Sequence, residues 1–241
     1  MTTQLIIIGA GGFAQEIAWA ARRLGGFELL GCCDDDPAKH GTLSSGLRLL
    51  GTIEQAHAWL MTQAATRRTV ATPSPTHDSP LTTHHFICAT GNNRLRAKFA
   101  QRATAVGWTA VNVIDPSVLI AADVRLGTGI YVGAGSILSC NAEIGDHVLI
   151  NQHCTIGHDA LLAAFAQVAP GGRISGCVIL REGALVATNA IVRQNREIGA
   201  WATVGAGSFA VTNVPAGATV IGNPATVVFR ANGGGHEPEA D

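Results

Sequence analysis

Aliphatic side chains recur at every sixth position through much of the second half of the chain. The series is unbroken from Ile114 to Val204. A period of six fits neither the 3.6-residue turn of an α-helix nor an ordinary array of β-hairpins. It is typical of a β-helix, in which each hexad contributes one short strand and a corner. The predicted inward positions are Ile114, Ile120, Leu126, Val132, Leu138, Ile144, Ile150, Ile156, Leu162, Val168, Ile174, Leu180, Val186, Val192, Ile198 and Val204.

The first part of the chain has a different pattern, in which apolar strands alternate with helical stripes. Leu5–Ile8 is apolar at every position, which predicts a strand buried on both faces. The segment from Phe13 to Leu24 has an apolar stripe at helical spacing and ends at Gly25-Gly26. We expect further strands at Phe27–Cys33, Phe86–Thr90 and Trp108–Val113, and further helices at Ile53–Leu60 and Arg94–Val106.

These patterns divide the chain into three parts. Residues 1–111 predict a small open α/β domain of β-turn-α units, and residues 112–228 predict a parallel β-helix. The Gly-rich, acidic residues 229–241 predict a flexible tail. The segment Thr62–His85 is rich in Thr, Pro, Ser, Ala and His, and we expect a surface loop there.

Composition narrows the choice of partner and compartment. The net charge of −1 gives no electrostatic reason to expect a nucleic-acid partner, and 29 glycines suit the tight corners of a solenoid. The six cysteines form no CxxC pair, which favours free thiols in a reducing compartment. The apolar run at Leu5–Ile8 is too short for a signal peptide or a membrane span. We therefore expect a cytoplasmic, soluble protein.

A glycine-rich turn follows the first predicted strand and opens the first helix. Gly9-x-Gly11-x-x-Ala14 stands in the context that a phosphate-binding turn requires, and a helix N-terminus supplies donors for phosphate oxygens. The acidic run Asp34–Asp36 ends the second strand, where ribose hydroxyls or a base edge would lie. A second mononucleotide half is missing, so a nucleotide or nucleotide-sugar fits better than a dinucleotide. The alternative is that the glycines form only a tight β-α turn.

A titratable pair stands out in the predicted solenoid. His158-Asp159 follows Ile156-Gly157 at one corner. A neutral imidazole can take a proton from an amine or hydroxyl near pH 7, and a neighbouring carboxylate can orient the ring and favour the imidazolium. The alternative is that His158 and Asp159 are solvent-exposed corner residues with no catalytic role.

The histidines His147, His153 and His158 also raise the possibility of a zinc site. The gamma-class carbonic anhydrases use a similar solenoid, with a second histidine five residues after an Ile-Gly-His run. Here Ala163 occupies that position, and His147 and His153 are one hexad apart, on different faces of the coil. We therefore expect no bound metal.

Four motifs make the chain resemble the bacterial sugar O-acyltransferase family. This family includes the sialic acid O-acetyltransferases and the N-acetyltransferases of nucleotide-linked 4-amino sugars of the bacillosamine and perosamine type. The similarity extends from Ile6 to Val228. The motifs are Ile8-Gly9-Ala10-Gly11-Gly12-Phe13, Gly31-Cys32-Cys33-Asp34-Asp35-Asp36, Phe86 to Arg96, and Ile150-Asn151 through Gly157-His158-Asp159.

The resemblance implies a Rossmann-like α/β domain followed by a left-handed parallel β-helix. It also implies a homotrimer whose active sites lie between neighbouring subunits, with acetyl-CoA as co-substrate and a nucleotide-sugar against the N-terminal domain. His158 would be the catalytic base, supported by Asp159, and the N–H of Gly176 would hold the oxyanion. The implied acetyl-CoA contacts are Gln167, Gly176, Thr188 and Ala206. The implied acceptor contacts are Gly11, Gly12, Phe13, Asp34, Asp35, Asp36, Gly91, Asn92 and Asn151.

The chain also departs from the family pattern. Phe13 and Gln167 stand where histidine is frequent, and Thr226 stands where a basic residue is common. We expect an acetyl-CoA-dependent acetyltransferase acting on the amino group of a nucleotide-linked 4-amino-4,6-dideoxy sugar. The alternatives are O-acetylation of a sialic acid or other sugar, a carbonic anhydrase-like metalloenzyme, and a non-catalytic scaffold.

Overall fold

The structure is a computed structural model that describes residues 2–36, 38, 46–70 and 84–230. It contains two compact units, Met1–Val113 and Ile114–Asp241. Among the described residues, no helix combines the length and the apolar character needed to cross a membrane. The predicted tail begins at 229, whereas the last strand runs to Arg230 and residues 231–241 lie outside the described part.

Within its described residues, the first unit is a four-stranded parallel sheet with three helices. The strands follow the order β2-β1-β3-β4, so the direction of chain progression reverses between β1 and β3. Strand β1 is fully buried from Leu5 to Ile8, as its uniform apolar pattern predicts. The elements are β1 Thr3–Ile8, α1 Gly12–Leu24, β2 Phe27–Cys33, α2 Ile53–Val70, β3 His85–Cys88, α3 Asn93–Ala105 and β4 Thr109–Ala110.

Two expectations for this unit are wrong. Helix α2 continues through Val70, so the first part of the expected loop at Thr62–His85 is helical, and His85 already belongs to β3. Alanine, glutamine and arginine in this stretch are good helix formers, which outweighs its loop-like threonine content. Residues 71–83 lie outside the described part. The fourth strand, expected at Trp108–Val113, is only two residues long.

The second unit is a parallel β-helix built from two-residue strands. Each strand pairs with the strand eighteen residues later, as in Leu149 with Gln167, so three strands complete one coil. The strands are β5 Val113–Ile114, β6 Leu119–Ile120, β7 Arg125–Leu126, β8 Tyr131–Val132, β9 Ile137–Leu138, β10 Glu143–Ile144, β11 Leu149–Ile150, β12 Thr155–Ile156, β13 Leu161–Leu162, β14 Gln167–Val168, β15 Arg173–Ile174, β16 Ile179–Leu180, β17 Leu185–Val186, β18 Ile191–Val192, β19 Glu197–Ile198, β20 Thr203–Val204 and β21 Phe209–Ala210. An antiparallel pair, β22 Ala218–Gly222 and β23 Ala225–Arg230, ends it.

The strands of the β-helix form three faces. The first face contains β5, β8, β11, β14, β17 and β20, and β22 and β23 extend it. The second face contains β6, β9, β12, β15, β18 and β21, and the third contains β7, β10, β13, β16 and β19. The first corner joins the first face to the second, the second corner joins the second to the third, and the third corner returns to the first face.

The aliphatic residue of each hexad points into the coil. From Val132 to Val204 these residues are at most 2% exposed, whereas Ile120 and Leu126 in the first coil, which has a neighbouring coil on one side only, are 39% and 37% exposed. Burying one such side chain contributes about 1.5–3 kcal/mol, so every hexad needs its aliphatic residue.

The corners share one backbone device. From Gly129 to Gly207, every sixth residue has a positive φ between 55° and 73°. Glycine, asparagine, aspartate and histidine tolerate this left-handed conformation best, and they fill most of these positions. Asp159, with φ 56°, is one of them, so the corner itself determines how the side chain next to His158 leaves the backbone.

Candidate active site

The imidazole of His158 stands exposed at the second corner. Its side chain is 63% exposed, and Nδ1 lies 2.7 Å from Oδ2 of Asp159. This contact selects the tautomer in which Nδ1–H donates to the carboxylate, leaving the Nε2 lone pair free to accept a proton. The ring is therefore neither inside the coil nor hidden, as a catalytic base requires.

The carboxylate of Asp159 is held from both sides. Oδ1 accepts a hydrogen bond from Nδ2 of Asn141 at 3.2 Å, while Oδ2 faces His158. The hydrogen bond from His158 and that from Asn141 lower the pKa of the Asp159 carboxyl. The residue is therefore ionised at neutral pH and can stabilise an imidazolium.

Glycine at position 176 leaves room for the imidazole. Position 176 is one coil beyond His158 at the same corner, and a Cβ built there would lie 2.4 Å from Nε2 of His158. Position 157 is also restricted, because a Cβ there would lie 2.6 Å from the backbone nitrogen of Gly176. The two coils thus approach closely beside the imidazole, and the backbone of Gly176 adjoins the ring.

The other predicted site residues of the solenoid lie elsewhere on one chain. Asn151, Thr188 and Ala206 belong to the first corner, and Gln167 lies on the first face in β14. Thr188 and Ala206 are exposed and one coil apart, whereas Gln167 is buried. Of the predicted site residues of the solenoid, a single chain therefore brings together His158, Asp159 and Gly176.

Asn151 has an unusual environment. The residue is 7% exposed, and its Oδ1 has no hydrogen-bond partner within the described part of the chain. Its backbone is fixed, since Ser136 Oγ donates to the carbonyl of Asn151 at 2.8 Å. A buried acceptor without a donor is rare in folded proteins and marks a place where a ligand or another chain supplies one.

The three histidines considered as zinc ligands do not meet. His153, His158 and His147 occupy the first, second and third corners of successive hexads. The ring of His147 stacks on Phe165 with 5.2 Å between centroids. A carbonic anhydrase-like trihistidine site is therefore not formed within one chain.

In the first unit, the predicted nucleotide-binding residues lie at the carboxyl ends of β1, β2 and β3. Ligands of open parallel sheets bind at this edge, where the strand order reverses. Gly9 has φ 119°, and a Cβ on it would lie 2.5 Å from the carbonyl oxygen of Ala89, so only glycine lets β1 and β3 approach here. Gly11 is the N-cap of α1, Gly12 begins the helix, and Phe13 is half-buried.

The three aspartates after β2 have different roles in the structure. Asp34 is buried, and its carboxylate accepts hydrogen bonds from the N–H of Ala10 at 2.7 Å and of Asp36 at 3.0 Å. Asp35 forms an ion pair with Arg102, which also binds Glu54. The Arg102 hydrogen bond lowers the pKa of Glu54 to about 2. Asp34 thus holds the glycine turn, and Asp35 ties β2 to α3.

The loop after β3 rests on a buried arginine. Arg96 is 0% exposed, and Nη1 donates to the carbonyl of Thr90 at 3.1 Å and to Oδ1 of Asn93 at 2.8 Å. Burial lowers its pKa to about 10, so the guanidinium is charged at neutral pH. Asn92 caps α3 by accepting from the N–H of Leu95 at 3.0 Å, and Gly91 is exposed beside it.

Sequence reasoning missed three of these residues. Asn141 precedes Asp159 by eighteen residues, and the coil length would have revealed it. Arg102 and Arg96 give no such signal, because their contacts depend on how α3 packs against the sheet.

The chain is similar in sequence to known proteins. Residues 4–71 match the PglD N-terminal domain family. The chain is 27% identical over 158 residues to a GDP-perosamine N-acetyltransferase of Escherichia coli O157:H7, covering 64% of this chain and 72% of that one.

Two solved structures are similar to nearly the whole chain. PerB from Caulobacter crescentus, in complex with CoA and GDP-perosamine, has a TM-score of 0.80 and 29% identity, covering 94% of this chain and 98% of that one. The acetyltransferase domain of PglB from Neisseria gonorrhoeae, in complex with acetyl coenzyme A, has a TM-score of 0.77 and 29% identity, covering 95% and 100%. The expected fold class, an α/β domain followed by a left-handed β-helix, is confirmed. The expected resemblance to the hexapeptide-repeat N-acetyltransferases of nucleotide-linked amino sugars is confirmed.

Proposed function

We propose that the protein transfers the acetyl group of acetyl-CoA to the 4-amino group of a nucleotide-linked 4-amino-4,6-dideoxy sugar. The relatives that carry CoA and GDP-perosamine, or acetyl coenzyme A, support both substrates. The observation that carries the proposal is the exposed imidazole of His158, which is oriented by the carboxylate of Asp159.

The chemistry follows from this pair. The sugar amine attacks the thioester carbonyl, and Nε2 of His158 takes the proton that the amine loses. Asp159 stabilises the resulting imidazolium, because its carboxylate stays ionised. The tetrahedral intermediate collapses, the C–S bond breaks, and the imidazolium returns its proton to the departing CoA thiolate.

The backbone of Gly176 adjoins this reaction. Its lack of a side chain permits the approach of the His158 ring, and we assign its N–H as donor to the oxyanion of the intermediate. The same absence leaves space for the thioester along the corner. Gln167, Thr188 and Ala206 would bind the remainder of acetyl-CoA.

The nucleotide part of the acceptor is assigned to the first unit. The turn Gly9–Gly12 places backbone donors at the N-terminus of α1, and Asp34 fixes that turn. Asp35, Asp36, Gly91 and Asn92 stand at the same sheet edge, next to the reversal of strand order.

A homotrimer would complete the site. His158 and the proposed contacts Asn151, Thr188 and Ala206 lie at different corners of one chain, so another copy must bring the second set to the imidazole. The second face lies between these corners and exposes Leu119, Ile137 and Ile191, which are 65%, 42% and 40% exposed. Exposed apolar side chains on one face favour contact between subunits.

The co-substrate also suggests a compartment. Acetyl-CoA is made and used inside cells, and the six cysteines are free thiols, as in a reducing environment. We infer that the enzyme works in the cytoplasm.

Turnover with defined acceptors tests the function. Purified protein is assayed for CoA release from acetyl-CoA with UDP-, GDP- and dTDP-linked 4-amino sugars, and the product is analysed by mass spectrometry. His158→Asn should lower kcat on the order of 10²–10⁴-fold. His147→Asn, the same change at the third corner, where φ is also 56°, should leave kcat unchanged. Acetylation of a free sialic acid with no turnover of any 4-amino sugar would assign the protein to the O-acetyltransferases instead.

A further inference from the structure

A thiol stands beside the catalytic pair. Ligand atoms of His158, Asp159 and Cys177 all lie within 4.8 Å of one another. Cys177 follows Asp159 by one coil at the second corner and is exposed. The proposed acetyl transfer uses the imidazole and the carboxylate but gives the thiol no task. We propose that these three side chains form an inhibitory site for a thiophilic divalent cation such as Zn²⁺.

The donor set fits such a cation. Imidazole nitrogen, carboxylate oxygen and thiolate sulfur are the three ligand types that Zn²⁺ binds in proteins. Three ligands of a tetrahedral zinc ion lie about 3.5 Å apart, given bonds of about 2.0–2.3 Å. The exposed side chains of His158 and Cys177 reach that spacing by small rotations.

The backbone holds the three residues in register. The N–H of Cys177 donates to the carbonyl of His158 at 2.8 Å. Asp159 and Cys177 have nearly the same left-handed conformation, with φ 56° and 57°, so their side chains leave the corner in parallel directions. Asn141 binds the second carboxylate oxygen and would orient Asp159 toward the metal.

Cation binding and acetyl transfer exclude each other. The metal forms bonds to one imidazole nitrogen and to Sγ, and the thiol proton passes to solvent. Coordination through Nε2 occupies the lone pair that the amine proton needs. Coordination through Nδ1 displaces the hydrogen bond to Asp159 and puts the ring proton on Nε2. In both modes the base is lost, so inhibition rests on the proposed function, whereas cation binding does not.

Binding is measured first, without substrates. Co²⁺ is added to the metal-free, tag-free protein, and thiolate-to-cobalt charge transfer is recorded in the near ultraviolet. The band should appear in the wild type and in Cys140→Ser and be absent from Cys177→Ser. Cys140 is the matched control, because it is an exposed cysteine at the same corner that lies outside the cluster. A missing band in the wild type, or an equal band in Cys177→Ser, would overturn the site.

Inhibition is measured by product formation at low conversion, because free CoA would itself bind zinc. Zn²⁺ should inhibit the wild type and Cys140→Ser alike, EDTA should restore the rate, and Mg²⁺ should have no effect. Cys177→Ser should retain turnover and need at least about tenfold more Zn²⁺ for half-inhibition. Equal sensitivity in Cys177→Ser would refute the inhibitory role. A metal-free enzyme without turnover would refute the proposed function and leave the cobalt result to decide the site.

Discussion

The ring of His158 lies against the backbone of Gly176, one coil further along the solenoid, with no room for a side chain between them. A Cβ at position 176 would lie 2.4–2.9 Å from Nε2, Cε1 and Cδ2 of the imidazole. Because β15, which leads into Gly176, pairs with a strand of the coil before it and a strand of the coil after it, the ring and not the backbone must yield.

Replacement of Gly176 by alanine should therefore displace the imidazole while leaving the coil folded. A misplacement of about 1 Å costs on the order of 10²-fold in rate, so kcat of Gly176→Ala should fall by that order. Steady-state kinetics and the melting temperature are measured together. Gln194→Ala, one coil beyond Gly176 at the same corner, serves as the control and should keep the wild-type kcat. An unchanged kcat in Gly176→Ala would mean that the rate of acetyl transfer does not depend on the position of the His158 ring.

Replacing Asp159 by asparagine tests the role of its charge while the shape of the side chain is kept. Asparagine tolerates the positive φ of 56° at this corner, so Asp159→Asn keeps the backbone and removes only the charge. We expect kcat to fall about 10–100-fold with little change in KM, because a neutral amide cannot stabilise the imidazolium. The hydrogen bonds from His158 and Asn141 hold the pKa of the Asp159 carboxyl below its ordinary value, so the wild-type charge is present at neutral pH.

Replacing Asn141 is a milder change to the support of the same carboxylate. Asn141 donates a hydrogen bond to Asp159, and removing that bond leaves the carboxylate charge in place, so Asn141→Ala should reduce kcat less than Asp159→Asn does. A larger loss in Asn141→Ala, measured under the same conditions, would show that the carboxylate charge is not what supports the base.

The buried carboxylate of Asp34 offers a test of the first unit. Asparagine at this position has one acceptor oxygen, so either Ala10 or Asp36 loses the partner of its N–H. An unpaired buried donor costs about 1–3 kcal/mol, and we expect KM for the nucleotide-sugar to rise about tenfold. KM for acetyl-CoA should not change. Glu28→Gln, which alters an exposed carboxylate on β2, the strand that Asp34 follows, is the control. A rise in both KM values would indicate that the substitution destabilises the whole protein and not only the nucleotide-sugar site.

The sequence was most informative where one physical constraint repeats. Each coil must bury three aliphatic residues, so the six-residue period located the solenoid, and the same period identified the corner that carries His158. It was least informative where a residue acts through tertiary contacts. Asp34 and Asp35 are adjacent and alike in sequence, yet one is buried under the glycine turn and the other pairs with Arg102.

Assembly is the second limit of sequence reasoning. The inward positions of the coil are restricted to aliphatic residues, but its outward positions are restricted only by what covers them. The corners holding Asn151 and His158 are separate in one chain, so the complete site is a property of the proposed trimer. Its mass, three times 24.9 kDa, is measurable by light scattering. Ile137→Arg, which puts a charge on the second face, should shift the protein to monomer and abolish turnover.

Two glycines at corner positions allow the cost of a strained backbone to be measured separately from the cost of side-chain crowding. Gly183 and Gly207 have nearly equal positive φ angles of 64° and 66°. A Cβ at position 183 would lie 2.1 Å from the ring of Trp201, whereas no atom of the described residues would lie within 4 Å of a Cβ at position 207. Gly207→Ala should cost only the left-handed backbone penalty of about 1–2 kcal/mol. Gly183→Ala should cost about 1–3 kcal/mol more, because the indole must also move. Both values follow from urea unfolding of the two variants at equal protein concentration. Equal losses in the two variants would show that Trp201 swings away freely, and that the corner conformation alone sets which residues these positions accept.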